Sequence, residues 1–450
     1  MHKKMNTPSD EHDAPVEELI ELSDRLHSVQ LKINDGLSVP RVAIESEGDA
    51  SPCGSLSSTS VCCISRQISS DMSVLTLDVL PSEIILLICS YLPLRFVIEN
   101  FGAVCVYFND IVNDRSAYLT RMLKLPQSYP LVNRTARYDD CNWCKETTIL
   151  REEARDKWTH YKDNEEKNMH ILSETHCGDI DAVVLANQGK LCFTGSRDRQ
   201  IGVWNTTEGK RISTLTSHMG WVWCLDTDEK SLYSGSWDNY IKMWDLETLS
   251  VVSEYKSKAP VLALRNNLNM IFTGHFNKSI QAIDLRSPNT DVLSFTAHSK
   301  SILTLELLNE NQLISTSDDN TIKMFDIRSG KGKCIECASW SDLILSSCYQ
   351  HGHLLYGTKK GNIVVIDPSF GINKVQTLLK VHAKNVTGIF YYPGAIFSSG
   401  LDSVVNILEP NANPKVLASF QDHSRNVNAV AFQNDVLASV GGDFKLCIYA

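Results

Sequence analysis

The chain lacks most of the features that would settle its class at once. None of its apolar runs approaches membrane-spanning length, and its opening, MHKKMNTPSDEHDAPVEELIELSDRLHSVQ, has no signal-peptide core. No membrane association is therefore expected. Basic excess is missing too: 43 Lys and Arg stand against 53 Asp and Glu, a net charge of -10, so no nucleic acid is expected as a partner. The 14 cysteines form no compact framework, which suggests reduced thiols and a cytoplasmic or nuclear location. Two CxxC pairs occur, CNWC (Cys141, Cys144) and CIEC (Cys334, Cys337), far too distant from each other for a zinc ribbon. Residues three apart on a regular strand point to opposite faces, so the second pair is expected to be packed thiol. Neither a metal nor a cofactor is expected.

What the chain does have is a repeat. GSWDNYIKMWD at 235–245 recurs as GSRDRQIGVWN (195–205), GHFNKSIQAID (274–284), TSDDNTIKMFD (316–326), GTKKGNIVVID (357–367) and SGLDSVVNILE (399–409). A seventh copy, GGDFKLCIYA, reaches Ala450, and the copies end 39 to 42 residues apart. Apolar-polar alternation broken by tight turns, seven times at that period, predicts an all-β propeller of seven four-stranded blades. The last copy ends after its third strand, so the segment around Met169–Ser173 is expected to supply the outer strand and close the ring.

These residues resemble the WD-repeat family over about 169–450. Its members place a His before the first strand of each blade, a Ser or Thr on the second and an Asp in the turn that follows. The matching His–Asp pairs here are His176 with Asp198, His218 with Asp238, His298 with Asp319, His382 with Asp402 and His423 with Asp443. A buried carboxylate needs donors, and imidazole supplies one while its other nitrogen takes a hydroxyl. The third and fifth copies carry Asn277 and Lys360 at the Asp position and lack the His as well. Loss of both members together marks the pairs as structural, and no catalytic residue is expected.

Four of the eight tryptophans fall within GWVWCLDTDEKSLYSGSWDNYIKMWD: Trp221, Trp223, Trp237 and Trp244. Trp244 is the aromatic of its repeat and is expected to be buried. In propellers of this family the positions of Trp221 and Trp237 open onto the upper face, as does that of Phe276 in the third repeat. An exposed aromatic patch over the second and third blades follows as an expectation, with Arg197 and Lys359 on the same rim, as the site for a protein target.

Upstream, LDVLPSEIILLICSYLPLRFVIENFGAVCVYFNDIVNDRSAYLTRM (77–122) reads as a small three-helix unit with more apolar surface than so short a segment buries alone. Ile84, Leu87, Ile88 and Tyr91 fall on one face of its first helix at helical spacing. Leu80-Pro81-x-Glu83-Ile84, Ile88, Tyr91-Leu92-x-Leu94, Val104-Cys105, Phe108 and Ile111 resemble an F-box. Two positions depart from that pattern: no acidic residue precedes the second helix near Arg95-Phe96, and Phe108 stands where a Trp is expected. The resemblance implies that Leu80, Pro81, Ile84, Ile88 and Leu92 dock the Skp adaptor of a cullin-RING ubiquitin ligase. Residues 1–76 hold six basic and twelve acidic side chains and a serine-rich stretch, and are expected to be mostly disordered. Residues 123–168 include a charged helical run, KETTILREEARDKWTHYKDNEEK, with Ile149 and Trp158 as its expected docking points.

An F-box followed by seven WD repeats resembles the F-box/WD-repeat substrate receptors. That resemblance implies a non-enzymatic receptor in which the F-box holds the adaptor and the upper face of the propeller holds an unknown protein target. A WD-repeat scaffold without cullin-dependent ubiquitination is the alternative.

Overall fold

The structure is a computed structural model. It describes most of residues 82–113, residues 141–161, and residues 169–450 apart from positions 174, 229, 268, 287–290, 329–331 and 411–413. Leu80, Pro81 and the segment 1–76 lie outside the described residues.

Seven four-stranded antiparallel sheets make the propeller. Six are sequential: blade 1 covers 180–216, blade 2 222–256, blade 3 261–296, blade 4 302–339, blade 5 344–380 and blade 6 386–420. Blade 7 takes three strands from 427–449, and Met169–Leu172 pairs along its outer edge, with Met169 opposite Tyr449 and Leu172 opposite Leu446. The early segment thus closes the ring. Thr175 fastens the join, its amide and hydroxyl both donating to the Phe444 carbonyl at 3.1 and 2.7 Å.

Burial follows strand position. Second strands sit between two others and two neighbouring blades, so runs such as SLYSGS (231–236) are buried throughout. Outer strands such as VVSEYK (251–256) alternate between half-buried and exposed for most of their length. Neighbouring blades meet closely at glycine: a Cβ on Gly235 would stand 2.6 Å from Val261 Cγ1 of blade 3 and equally close to Cys224 Sγ of its own blade. The turn after each second strand needs one left-handed residue (Arg199, Asn239, Lys278, Asn320, Gly361, Ser403 or Phe444), with φ between 60° and 85°. These turns and the loops entering each blade form the upper face; the remaining hairpins form the lower face.

Among the described residues, four helices precede the propeller: α1 (Ser82–Cys89), α2 (Leu94–Phe96, continuing as a π turn over Val97–Phe101), α3 (Val106–Asn113) and α4 (Cys141–Thr159). Ile85, Cys89, Val97, Phe108, Ile111 and Val112 form the buried core of the first three. The inward stripe of α1 is Ile85 with Cys89, one position on from the Ile84/Ile88 face. Ile85 and Cys89 are buried, Ile84 and Ile88 are half-buried, and Tyr91 is exposed.

Candidate protein-binding faces

The His–Asp pairs are latches between loops. In blade 2, Trp244 Nε1–H donates to Ser234 Oγ at 2.9 Å, the Ser234 hydroxyl meets His218 Nε2 at 2.8 Å, and His218 Nδ1–H donates to Asp238 at 2.8 Å. Asp238 also accepts the amides of Met219 and Tyr240, tying the loop that enters the blade to the turn that leaves its second strand. Burial pushes the Asp238 carboxyl up, but the His218 hydrogen bond and charge and the two amides outweigh it and hold it at about 2. Blades 1, 4, 6 and 7 repeat the His–Asp contact at 2.8 to 3.2 Å. Ser, His and Asp here follow the order of a hydrolase triad, yet Ser234 is fully buried and its oxygen already accepts the indole N–H. No substrate reaches it, so the latch is structural.

Blades 3 and 5 replace the latch in ways hidden from sequence. In blade 3, His275 lies on the second strand itself, fully buried, with Nε2 3.0 Å from Thr273 Oγ1 and Nδ1 3.2 Å from the Ala259 carbonyl. In blade 5 the carboxylate comes from the opposite loop: Asp342 accepts the Lys360 amide at 3.0 Å.

On the upper face, Trp237 is the centre of an aromatic cluster. Its ring lies 5.7 Å from Trp221, 6.1 Å from Trp223 and 5.6 Å from Phe276. Trp237 itself is half-buried, and its indole nitrogen is enclosed without a partner. Trp221 and Phe276 stand on it with 44% and 54% of their surfaces exposed, and Met219 beside them is 80% exposed. Trp223 sits in a bulge between Val222 and Cys224 and packs against Trp237 and Arg197. Arg197 stacks over Trp221 at 5.3 Å, but its guanidinium is committed to Asp181 at 2.8 and 3.1 Å and to Asp179 at 3.3 Å. It therefore shields the rings and is no free cation. Lys359 is exposed in the blade 5 turn, two blades from Phe276 and outside the patch.

On the lower face, α4 lies against blades 6 and 7. Trp158 is 2% exposed, with ring centroids 5.7 Å from Phe397 and 6.3 Å from Phe420, and Tyr161 stacks edgewise on Phe420 and Tyr449. Three polar contacts pin the helix: Arg151 Nε to the Pro393 carbonyl at 3.2 Å, Arg155 to Glu409 at 2.7 Å and Lys157 to the Asp435 carbonyl at 2.6 Å. Its other side holds the three-helix unit. Glu152 accepts the Leu94 amide at 2.7 Å, and Glu153 pairs with Arg95 at 2.7 Å. The acid absent in sequence before α2 is thus supplied from α4, at the N-terminus of α2 where a carboxylate is favoured. Phe108, 5% exposed, fills the core where a Trp was expected. Tyr91, Phe96, Val104 and Tyr107 are left 43 to 68% exposed.

Among the described residues, no group of three or more His, Cys, Asp or Glu could hold a metal ion, and no helix is long and apolar enough to cross a membrane. The model of the family "WD domain, G-beta repeat" matches residues 167–205, 209–245 and 289–326, so the seven-bladed ring is a WD-repeat propeller. F-box/WD repeat-containing protein 9 of Homo sapiens and that of Bos taurus are each 28% identical over 384 residues, 82% of this chain and 81% of theirs. The F-box/WD repeat-containing protein mec-15 of Caenorhabditis elegans is 25% identical over 66% of this chain and 76% of its own. The solved structure of the computationally designed Ika8 protein matches 62% of this chain and 98% of that one, with a TM-score of 0.51 and 17% identity, a likeness of fold. The chain is therefore similar, along most of its length, to F-box/WD repeat-containing proteins.

Proposed function

We propose that this chain is the substrate-recognition subunit of a Skp–cullin–F-box ubiquitin ligase, with α1–α3 holding the adaptor and the upper face of the propeller holding the target. The observation that carries the reading is α4. It buries Trp158 and Tyr161 in the lower face while Glu152 and Glu153 grip α2. Two surfaces with exposed apolar groups are thereby fixed relative to each other: Tyr91, Phe96, Val104 and Tyr107 on the three-helix unit, and Met219, Trp221 and Phe276 on the far side of the ring. Exposed aromatic and Met anchors are what an interface core requires. Neither surface performs chemistry. Catalysis comes from a ubiquitin-conjugating enzyme brought by the cullin, and tethering raises the local concentration of target lysines.

Leu80, Pro81, Ile84, Ile88 and Leu92 supply the adaptor contact in this reading, joined by exposed Tyr91 and Val104. Direct binding of purified Skp adaptor to the full chain tests it. The intact chain is expected to form a stable complex, and Leu80→Ala/Pro81→Ala to weaken it at least tenfold with the propeller's melting temperature unchanged. A well-folded intact chain that binds no adaptor leaves the scaffold reading in its place.

A further inference from the structure

The CIEC pair lies on the outer strand of blade 4 (Lys333–Ser339), where strand pairing overturns the expectation that its two cysteines face opposite ways. Cys337 pairs with Lys323 and Glu336 with Met324, but Cys334 pairs with Phe325, leaving Ile335 as an extra, bulged residue. Lys323 and Phe325 are two residues apart and share a face, so the cysteines opposite them share it too. The residues they face, Lys323 and Phe325, lie about 6.6 Å apart along the strand, near the upper end of the Cα separation a disulfide takes. Glu336 turns to the other face, where it accepts the Ile372 amide at 3.1 Å and the Asn373 side chain at 2.8 Å. Both cysteines are exposed. Blades 1, 2, 3, 5 and 6 carry the same bulge, but none flanks it with cysteines: the equivalent pairs are Arg211/Thr214, Val251/Glu254, Asp291/Ser294, Val375/Leu378 and Val416/Ser419.

We propose that Cys334 and Cys337 form an oxidisable dithiol that closes to an intramolecular disulfide across the bulge by exchange with a small disulfide such as oxidised glutathione. The Cys337 thiolate attacks one glutathione sulfur, forming a mixed disulfide and expelling one glutathione thiolate. The Cys334 thiolate then attacks the Cys337 sulfur and expels the second. Two S–H bonds are lost, one protein S–S bond forms, two electrons pass to glutathione, and its two thiolates take up the two protons. Burial and the neighbouring Cys337 push the Cys334 thiol up, so Cys334 is the poorer first nucleophile; in the second step Cys337 is an uncharged disulfide sulfur and proximity offsets the small thiolate fraction. Cys192, Cys348 and Cys447 are buried away from the reagent, whereas Cys177 is exposed, in the loop that enters blade 1.

The test equilibrates the purified full chain in glutathione buffers of rising oxidised fraction, blocks free thiols with N-ethylmaleimide and weighs the peptides. The peptide holding Cys334 and Cys337 is expected to lose two hydrogens and escape labelling, at an oxidised fraction at least tenfold lower than the one that glutathionylates Cys177. Cys334→Ser is expected to arrest Cys337 as the mixed disulfide. Free labelling of both cysteines in fully oxidised glutathione, or two separate glutathione adducts on them, overturns the proposal.

Discussion

Replacing Trp158 by alanine should separate α4 from the ring. The side chain is 2% exposed and meets Phe397, Phe420 and Tyr161 at 5.3 to 6.3 Å. Truncating such a residue costs about 3–5 kcal/mol. Tyr161 stays on Phe420 and Tyr449 but loses its contact with the Trp158 ring, and the polar contacts that remain are weak. Arg155–Glu409 is a partly exposed ion pair worth about 0–1 kcal/mol, and the hydrogen bonds of Arg151 and Lys157 contribute about 1 kcal/mol each. A 19-residue helix is itself marginal once detached. Amide hydrogen exchange on the full chain should therefore speed up along 141–159 by about 10²–10⁴-fold, that energy being about 1.4 kcal/mol per tenfold, with blades 1 to 4 unchanged. Unaltered protection of α4 would refute the anchoring role. Protection falling equally in every blade would refute it as well, since Trp158 would then belong to the core of the ring.

Asp238→Ala strands the His218 N–H and two amides, and should destabilise the propeller by about 2–4 kcal/mol in chemical denaturation. Adding His218→Ala should cost far less than its separate effect, because the pair acts as one unit. Acid should act on the same latches. Asp238 and Asp443 are held at about 2 against 3.8 for an ordinary carboxyl, so the stability they contribute is full above 3.8 and is lost as pH falls from there through about 2. Melting temperatures from pH 7 to 2 should drop more steeply below about pH 4, and that steepening should be smaller in an Asp238→Ala/Asp443→Ala chain; an identical acid slope contradicts this. Deleting 165–175 removes the closing strand and should lower the melting temperature sharply, while an unchanged transition would mean the ring does not need it.

The propeller was legible because its signal repeats: one turn signature at a 39–42-residue period fixes blade number, and His paired with Asp fixes the loops they join. The ring-closing strand followed from counting strands. Sequence alone did not reveal what depends on register or on distant chain. A bulge changes which residues share a face, and nothing local in KCIECAS announces that Ile335 will be left unpaired. His275 and Asp342 replace missing latch members from other strands and loops, and Glu152 reaches α2 across 58 residues. In α1, SEIILLIC is apolar around most of its circumference, so its period could not choose between Ile84/Ile88 and Ile85/Cys89. Of the upper-face residues, Trp221, Trp237 and Phe276 do come together, with Trp237 as support and not as contact surface. Arg197 is held by Asp179 and Asp181, and Lys359 lies elsewhere. Spacing placed these positions on a rim; it could not show which charges were already paired.

The central claim is that two separate faces, joined by α4, recruit different partners. Its most direct test is quantitative co-purification from cells of the intact chain, Leu80→Ala/Pro81→Ala and Trp221→Ala/Phe276→Ala. The first variant should lose the Skp adaptor and cullin but keep, and enrich, proteins held by the upper face. The second should keep adaptor and cullin and lose those proteins. Adaptor and cullin recovered undiminished with Leu80→Ala/Pro81→Ala, or both partner sets lost together from either well-folded variant, would contradict it.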